Sequence, residues 1–116
     1  MATLTVQSTS LAGDALTVTA AASGGDEFVN TGRELFYVVN ASASARTVTF
    51  PGQNASNFNV TSNSAVALTG SSTWTIGSFS KDWFNDANEK VQVTYSDSAA
   101  NLTVAVIQMP STTDSL

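Results

Sequence analysis

The sequence has no cysteine and no histidine, and charged residues make up 11% of it, against about 25% in an average globular domain. Without cysteine there is no disulfide, no thiolate ligand and no thiol nucleophile, and the redox compartment leaves no mark on the composition. Without histidine the commonest general base is missing, and zinc would find only carboxylates among its usual ligands. A Ser–Lys dyad would have to use Lys81 or Lys90, both in a stretch that reads as a solvated loop. A hydrolytic carboxylate pair needs two acids about 5–10 Å apart in a cleft, and no spacing here suggests one. The chain is therefore expected to have no enzymatic activity and no cofactor.

Positive charge is equally scarce. Four basic residues stand against nine acidic ones, for a net charge of −5. So few cations cannot neutralise many phosphates, which argues against nucleic acid and against anionic membrane surfaces. No apolar run approaches the roughly eighteen residues that cross a bilayer. Met1-Ala2-Thr3-Leu4-Thr5 lacks the basic start and apolar centre of a secretory signal, so synthesis is expected in the cytoplasm.

What is present is apolar and β-forming. The hydrophobic fraction of 42% is that of a folded chain, and residues 1–116 read as one domain. The most concentrated apolar block is Glu34–Asn40, entered through a turn at Asn30-Thr31-Gly32. In an extended chain Leu35, Tyr37 and Val39 project to one side and Phe36 and Val38 to the other. With both faces apolar, this is expected to be the central strand, covered by the core on one side and by a neighbouring element or another subunit on the other.

Alternation marks the remaining strands. In Ala15–Ala20, Leu16 and Val18 are expected to face inward. Arg46–Phe50 is expected to form an antiparallel hairpin with Glu34–Asn40, and Ala65–Leu68 a second hairpin with Ser72–Ile76, where Trp74 and Ile76 point inward. A brief strand is expected near Phe58–Thr61 and a helical turn near Lys81–Asn85. Val91–Ser96 places Val91, Val93 and Tyr95 inward. In Leu102–Met109, Leu102, Val104 and Val106 face one way and Thr103, Ala105, Ile107 and Met109 the other. Residues 1–10 have few anchors and read as an N-terminal arm, and residues 110–116 as a short tail. The pattern predicts an all-β, antiparallel two-sheet sandwich of eight or nine strands, jelly-roll-like, with no Cys–Trp–Cys framework of an immunoglobulin domain.

Asp82, Asp86 and Glu89 form an acidic group with Asn85 and Asn88. An EF-hand loop counted from Asp82 would need glycine and glutamate where Ala87 and Val93 stand, so the choice is between an irregular calcium site and Asx turns shaping a loop. Phe79, Trp83 and Phe84 read as aromatics plugging the end of the sandwich, or, for Trp83, as a binding hot spot. Sequons at Asn40, Asn54, Asn59 and Asn101 are of the number chance provides in such a chain. Arg33 beside Glu34 is either a surface pair worth less than about 1 kcal/mol or a contact that sets register between subunits.

Asn30-Thr31-Gly32-Arg33-Glu34-Leu35-Phe36-Tyr37-Val38-Val39-Asn40 and Arg46-Thr47-Val48-Thr49-Phe50 resemble the small head-decoration (cement) proteins of tailed bacteriophages. The resemblance continues through Trp74–Phe79, Phe84-Asn85-Asp86, Val91–Ser96 and Leu102–Ile107. It implies a β-sandwich homotrimer on the capsid exterior that clamps neighbouring major capsid proteins, with no catalytic site. The second face of Glu34–Asn40 or of Leu102–Met109 would then lie at or near the subunit interface. Thr3, Leu4, Thr5, Val6, Arg33, Phe58, Trp83 and Phe84 are the candidate interface residues. The alternative expectation is a carbohydrate- or receptor-binding module of a tail or fibre, with Trp74 or Trp83 as the stacking platform.

Overall fold

A computed structural model describes residues 2–53, 63–96 and 101–109. Among them the strands are β1 (Ala2–Thr3), β2 (Val6–Ser8), β3 (Thr19–Ala20), β4 (Asp26–Val29) and β5 (Glu34–Asn40). They continue with β6 (Arg46–Phe50), β7 (Ser64–Leu68), β8 (Ser72–Gly77), β9 (Lys90–Tyr95) and β10 (Leu102–Gln108), and one helical turn, α1, spans Lys81–Phe84. The first sheet has the order β1-β4-β9-β6-β7 and the second β2-β10-β5-β8, with β3 also lying along β10. The protein is an all-β two-sheet sandwich. Its sheets are mixed: β1 runs parallel to β4 and β2 parallel to β10, while the other pairs are antiparallel. The path crosses between the sheets at most of its connections, a habit it shares with jelly rolls.

The period-two pattern of β5 is realised residue by residue. Phe36 and Val38 lose all exposure to the core, while Leu35, Tyr37 and Val39 on the opposite face stay half-buried. Val91 and Val93 of β9, Val48 and Phe50 of β6, and Leu102, Val104 and Val106 of β10 complete the interior. Phe36 meets Phe50 edge-on at 5.3 Å between ring centroids, and Phe79 lies 4.7 Å from Phe50 and 5.6 Å from Phe28. Phe84 closes this stack against Phe79 at 5.8 Å. These two aromatics therefore plug the end of the sandwich, Phe79 buried and Phe84 half-buried.

Neither expected hairpin forms. β5 pairs with β10 and β8, whereas β6 pairs with β7 and β9 in the other sheet. Likewise β7 and β8 belong to opposite sheets. The reason is burial: Phe36 and Val38 face Phe50 and Val48 across the interior, which a hairpin within one sheet would have set side by side. Both connections turn a corner between sheets, and the corners lock together. Buried Asn40 donates through Nδ2 to the carbonyls of Ser44 (3.0 Å) and Thr69 (3.1 Å), and its Oδ1 accepts from the Ser42 N–H (3.0 Å). At Gly70 a Cβ would run into the Ala43 carbonyl, so only glycine lets the two corners meet.

Two further expectations are corrected. Leu16 and Val18 do not face inward; they are 40% and 45% exposed, and only Thr19–Ala20 of that segment joins a sheet. Nor are residues 2–8 a free arm. Ala2–Thr3 adds to the first sheet and Val6–Ser8 to the second, with Leu4 buried between them. Parallel pairing to strands already present supplies the anchors that the short apolar pattern did not reveal. Trp74 and Ile76 do take the inward register of Val38 and Phe36, but β8 is an edge strand, so Trp74 remains 37% exposed. The expected Lys81–Asn85 turn is present as α1, closed by the Asn85 N–H on the Lys81 carbonyl. The expected strand near Phe58–Thr61 and the tail 110–116 lie outside the described residues.

Candidate interaction surfaces

The two outer faces of the sandwich differ in chemistry. On the first sheet Thr3, Glu27 and Gln92 stand in one row. The Glu27 carboxylate accepts from Gln92 Nε2 (3.0 Å), Lys90 Nζ (3.1 Å) and Thr3 Oγ1 (3.0 Å). These donors, Gln92 foremost, hold its pKa down from 4.5 to about 2. This face is polar and internally paired.

The outer face of the second sheet is uncharged, with an apolar centre flanked by threonines. Its rows set Leu35 beside Ile107 and Gln7, Tyr37 beside Ala105 and Thr75, and Val39 beside Thr103 and Thr73. None of these residues is charged. Leu35, Tyr37, Val39 and Ile107 are half-buried, and exposed Leu16 lines a small hollow with Ile107. Val18 and Leu11 add exposed apolar surface from the segment before β3. An uncharged sheet face with an apolar centre suits coverage by another protein surface. The alternation of β5 and β10 foretold Leu35, Tyr37, Val39 and Ile107. Leu16 and Val18 were missed because outward and inward alternation look the same in sequence.

At the end of the sandwich near β5 the polar groups are used internally. Glu34 is fully buried, not a surface partner of Arg33. Its carboxylate accepts from the Thr31 N–H (2.7 Å), the Thr31 hydroxyl (2.9 Å), the Arg33 N–H (3.1 Å) and Gln108 Nε2 (2.9 Å). Burial pushes its pKa up, but Gln108 and the Thr31 and Arg33 donors together outweigh that and leave it lowered. Asn30 and Asn85 bridge the adjoining loops, with Asn30 Nδ2 donating to Asn85 Oδ1 (2.7 Å) and Asn85 Nδ2 to the Asn30 carbonyl (3.0 Å).

The acidic loop takes the Asx-turn reading. Asp86 Oδ1 accepts from the N–H groups of Asn88 (2.8 Å) and Lys90 (3.0 Å), and Oδ2 from Gln92 Nε2 (2.7 Å). Burial raises its pKa, but these donors leave it lowered on balance. Among the described residues no cluster of three or more acidic side chains could hold a metal ion.

The residues singled out from the sequence fall in several places. Thr3 is exposed and bound to Glu27, Leu4 is core, Thr5 is exposed, and Val6 packs partly against the core. Arg33 is half-buried and its carbonyl accepts from the Met109 N–H (2.8 Å). Trp83 is half-buried on α1, and Phe84 joins the aromatic stack. Phe58 lies outside the described residues. The structure gathers Thr3–Val6 at one edge of the sandwich and Trp83 and Phe84 at α1. No family model, curated protein or solved structure matches the chain.

Proposed function

We propose that this chain is a structural virion protein that binds the outside of a phage capsid as a homotrimer and stabilises contacts between major capsid subunits. The observation that carries the reading is the uncharged outer face of the second sheet with its apolar centre of Leu35, Tyr37 and Val39. It offers more β-surface than the core of one copy covers, so a further protein surface is needed to bury it. The sequence resemblance to cement proteins supplies the setting. Each contact need only be modest, because a trimer touching several capsid subunits binds multivalently. Purified protein added to undecorated heads should bind stoichiometrically and raise their resistance to heat. Heads that neither bind it nor gain resistance would count against the proposal.

Trp74 favours a second reading, a carbohydrate-binding module. Its ring stands at the open sandwich edge with the indole N–H fixed by Ser72 Oγ (2.8 Å), a posture suited to stacking on a sugar. Glycan binding that is lost in Trp74→Ala would support that reading over the first.

A further inference from the structure

Both β2 and β3 run along β10, and they leave a gap between them: β2 accompanies Val106–Gln108 and β3 accompanies Thr103–Val104. A cavity of about 450 Å³ opens there, with Leu4, Val104 and Ala105 in its walls and Thr5 and Thr17 among its polar lining. That is the size of a small-ligand site. Asp26 also lines the cavity and is wholly buried. Its Oδ2 accepts from the Tyr95 hydroxyl (2.6 Å) and the Ala22 N–H (3.2 Å), whereas Oδ1 has no partner among the described residues. Burial and the neighbouring Asp26 push the Tyr95 phenol up, so it remains the donor of that bond.

A buried carboxyl oxygen left without a donor is destabilising, and among the described residues no lysine or arginine lines the cavity. An ammonium group would give that oxygen a donor and the carboxyl group an opposite charge. One carboxylate oxygen among threonines is too few oxygen ligands for calcium. The walls of Leu4, Val104 and Ala105 instead suit an aliphatic stem.

We propose that this notch binds an alkylammonium group, whose N–H donates to Asp26 Oδ1 while its stem lies against Leu4, Val104 and Ala105. The carboxylate is shielded from solvent, so entry of the ligand would need a small displacement of the cavity wall, of which Leu4 and Thr5 are part. Those two residues lie between β1 and β2 and belong to neither strand. The group could be a free amine or a lysine side chain of another polypeptide, and the inference does not depend on the capsid reading.

Titrating the isolated full chain with n-butylammonium chloride, followed by amide NMR shifts, tests it. A parallel arm with Nα-acetyl-lysine methylamide probes the lysine source. Saturable shifts confined to residues 3–7, 17–20 and 26 are expected with either amine and not with n-butanol. Asp26→Asn should weaken binding at least about tenfold, the worth of one charge-assisted hydrogen bond. Thr17→Trp, which fills the mouth and leaves Asp26 untouched, should also abolish it, and serves if the Asn variant fails to fold. No saturable shift with either amine, or equal shifts with n-butanol, would overturn the proposal.

Discussion

At the scale of single residues, the polar side chains that matter most are buried and hold corners rather than face solvent. Asn40 ties two connections together through three hydrogen bonds. Asn40→Ala removes all three, leaving the Thr69 carbonyl with the Ser72 hydroxyl alone, and should destabilise the protein by about 2–4 kcal/mol in urea unfolding. Glu27 sets a pH dependence. Its folded pKa is depressed to about 2, so its stabilising contribution is present above the ordinary value of 4.5 and is lost as pH falls from there toward 2. Glu34 and Asp86 are shifted in the same direction and add to the loss. Melting temperature should therefore drop across that acidic window, and Glu27→Gln should lessen the slope by a small amount because solvent screens this surface cradle. An unchanged slope in the variant would show that the Lys90–Gln92–Thr3 cradle does not couple to folding.

At the scale of elements, β5 was legible because its alternation is set by side-chain types alone, and Phe36 and Val38 went where that pattern sent them. Strand partners were not legible. The five-residue loop after Asn40 is as compatible with a hairpin as with a corner between sheets, and the choice was made by packing of Phe36 against Phe50, residues far apart in the pattern. The same limit hid the role of residues 2–8, whose partners in β4 and β10 are distant in sequence. Of the candidate surface, the β5 and β10 contributions could be read in advance, but Leu16 and Val18 could not. If β5 presents its outer face to a partner, Tyr37→Lys and Val39→Lys should abolish self-association or head binding. Stability of the isolated chain should change by less than about 1 kcal/mol, as for other half-exposed positions. Analytical ultracentrifugation and thermal melts separate the two effects.

At the scale of the whole molecule, charge is distributed unevenly. No charged residue occurs between Arg46 and Lys81, a stretch that includes β7 and β8. With a net charge of −5, copies approach one another most easily through such neutral surfaces. Light scattering of the purified protein should give three times the 12.0 kDa chain mass. A lone copy at high concentration would instead leave assembly to the shell.

An early strand and a late one are also joined, since β2 lies beside β10 and Ser8 Oγ reaches Gln108 Oε1 at 3.5 Å. During synthesis Ala2–Thr3 can settle as soon as β4 exists, whereas Val6–Ser8 have no place until β10 has been made. A substitution that keeps β2 from pairing would leave that flank of β10 unguarded and open to neighbouring nascent chains.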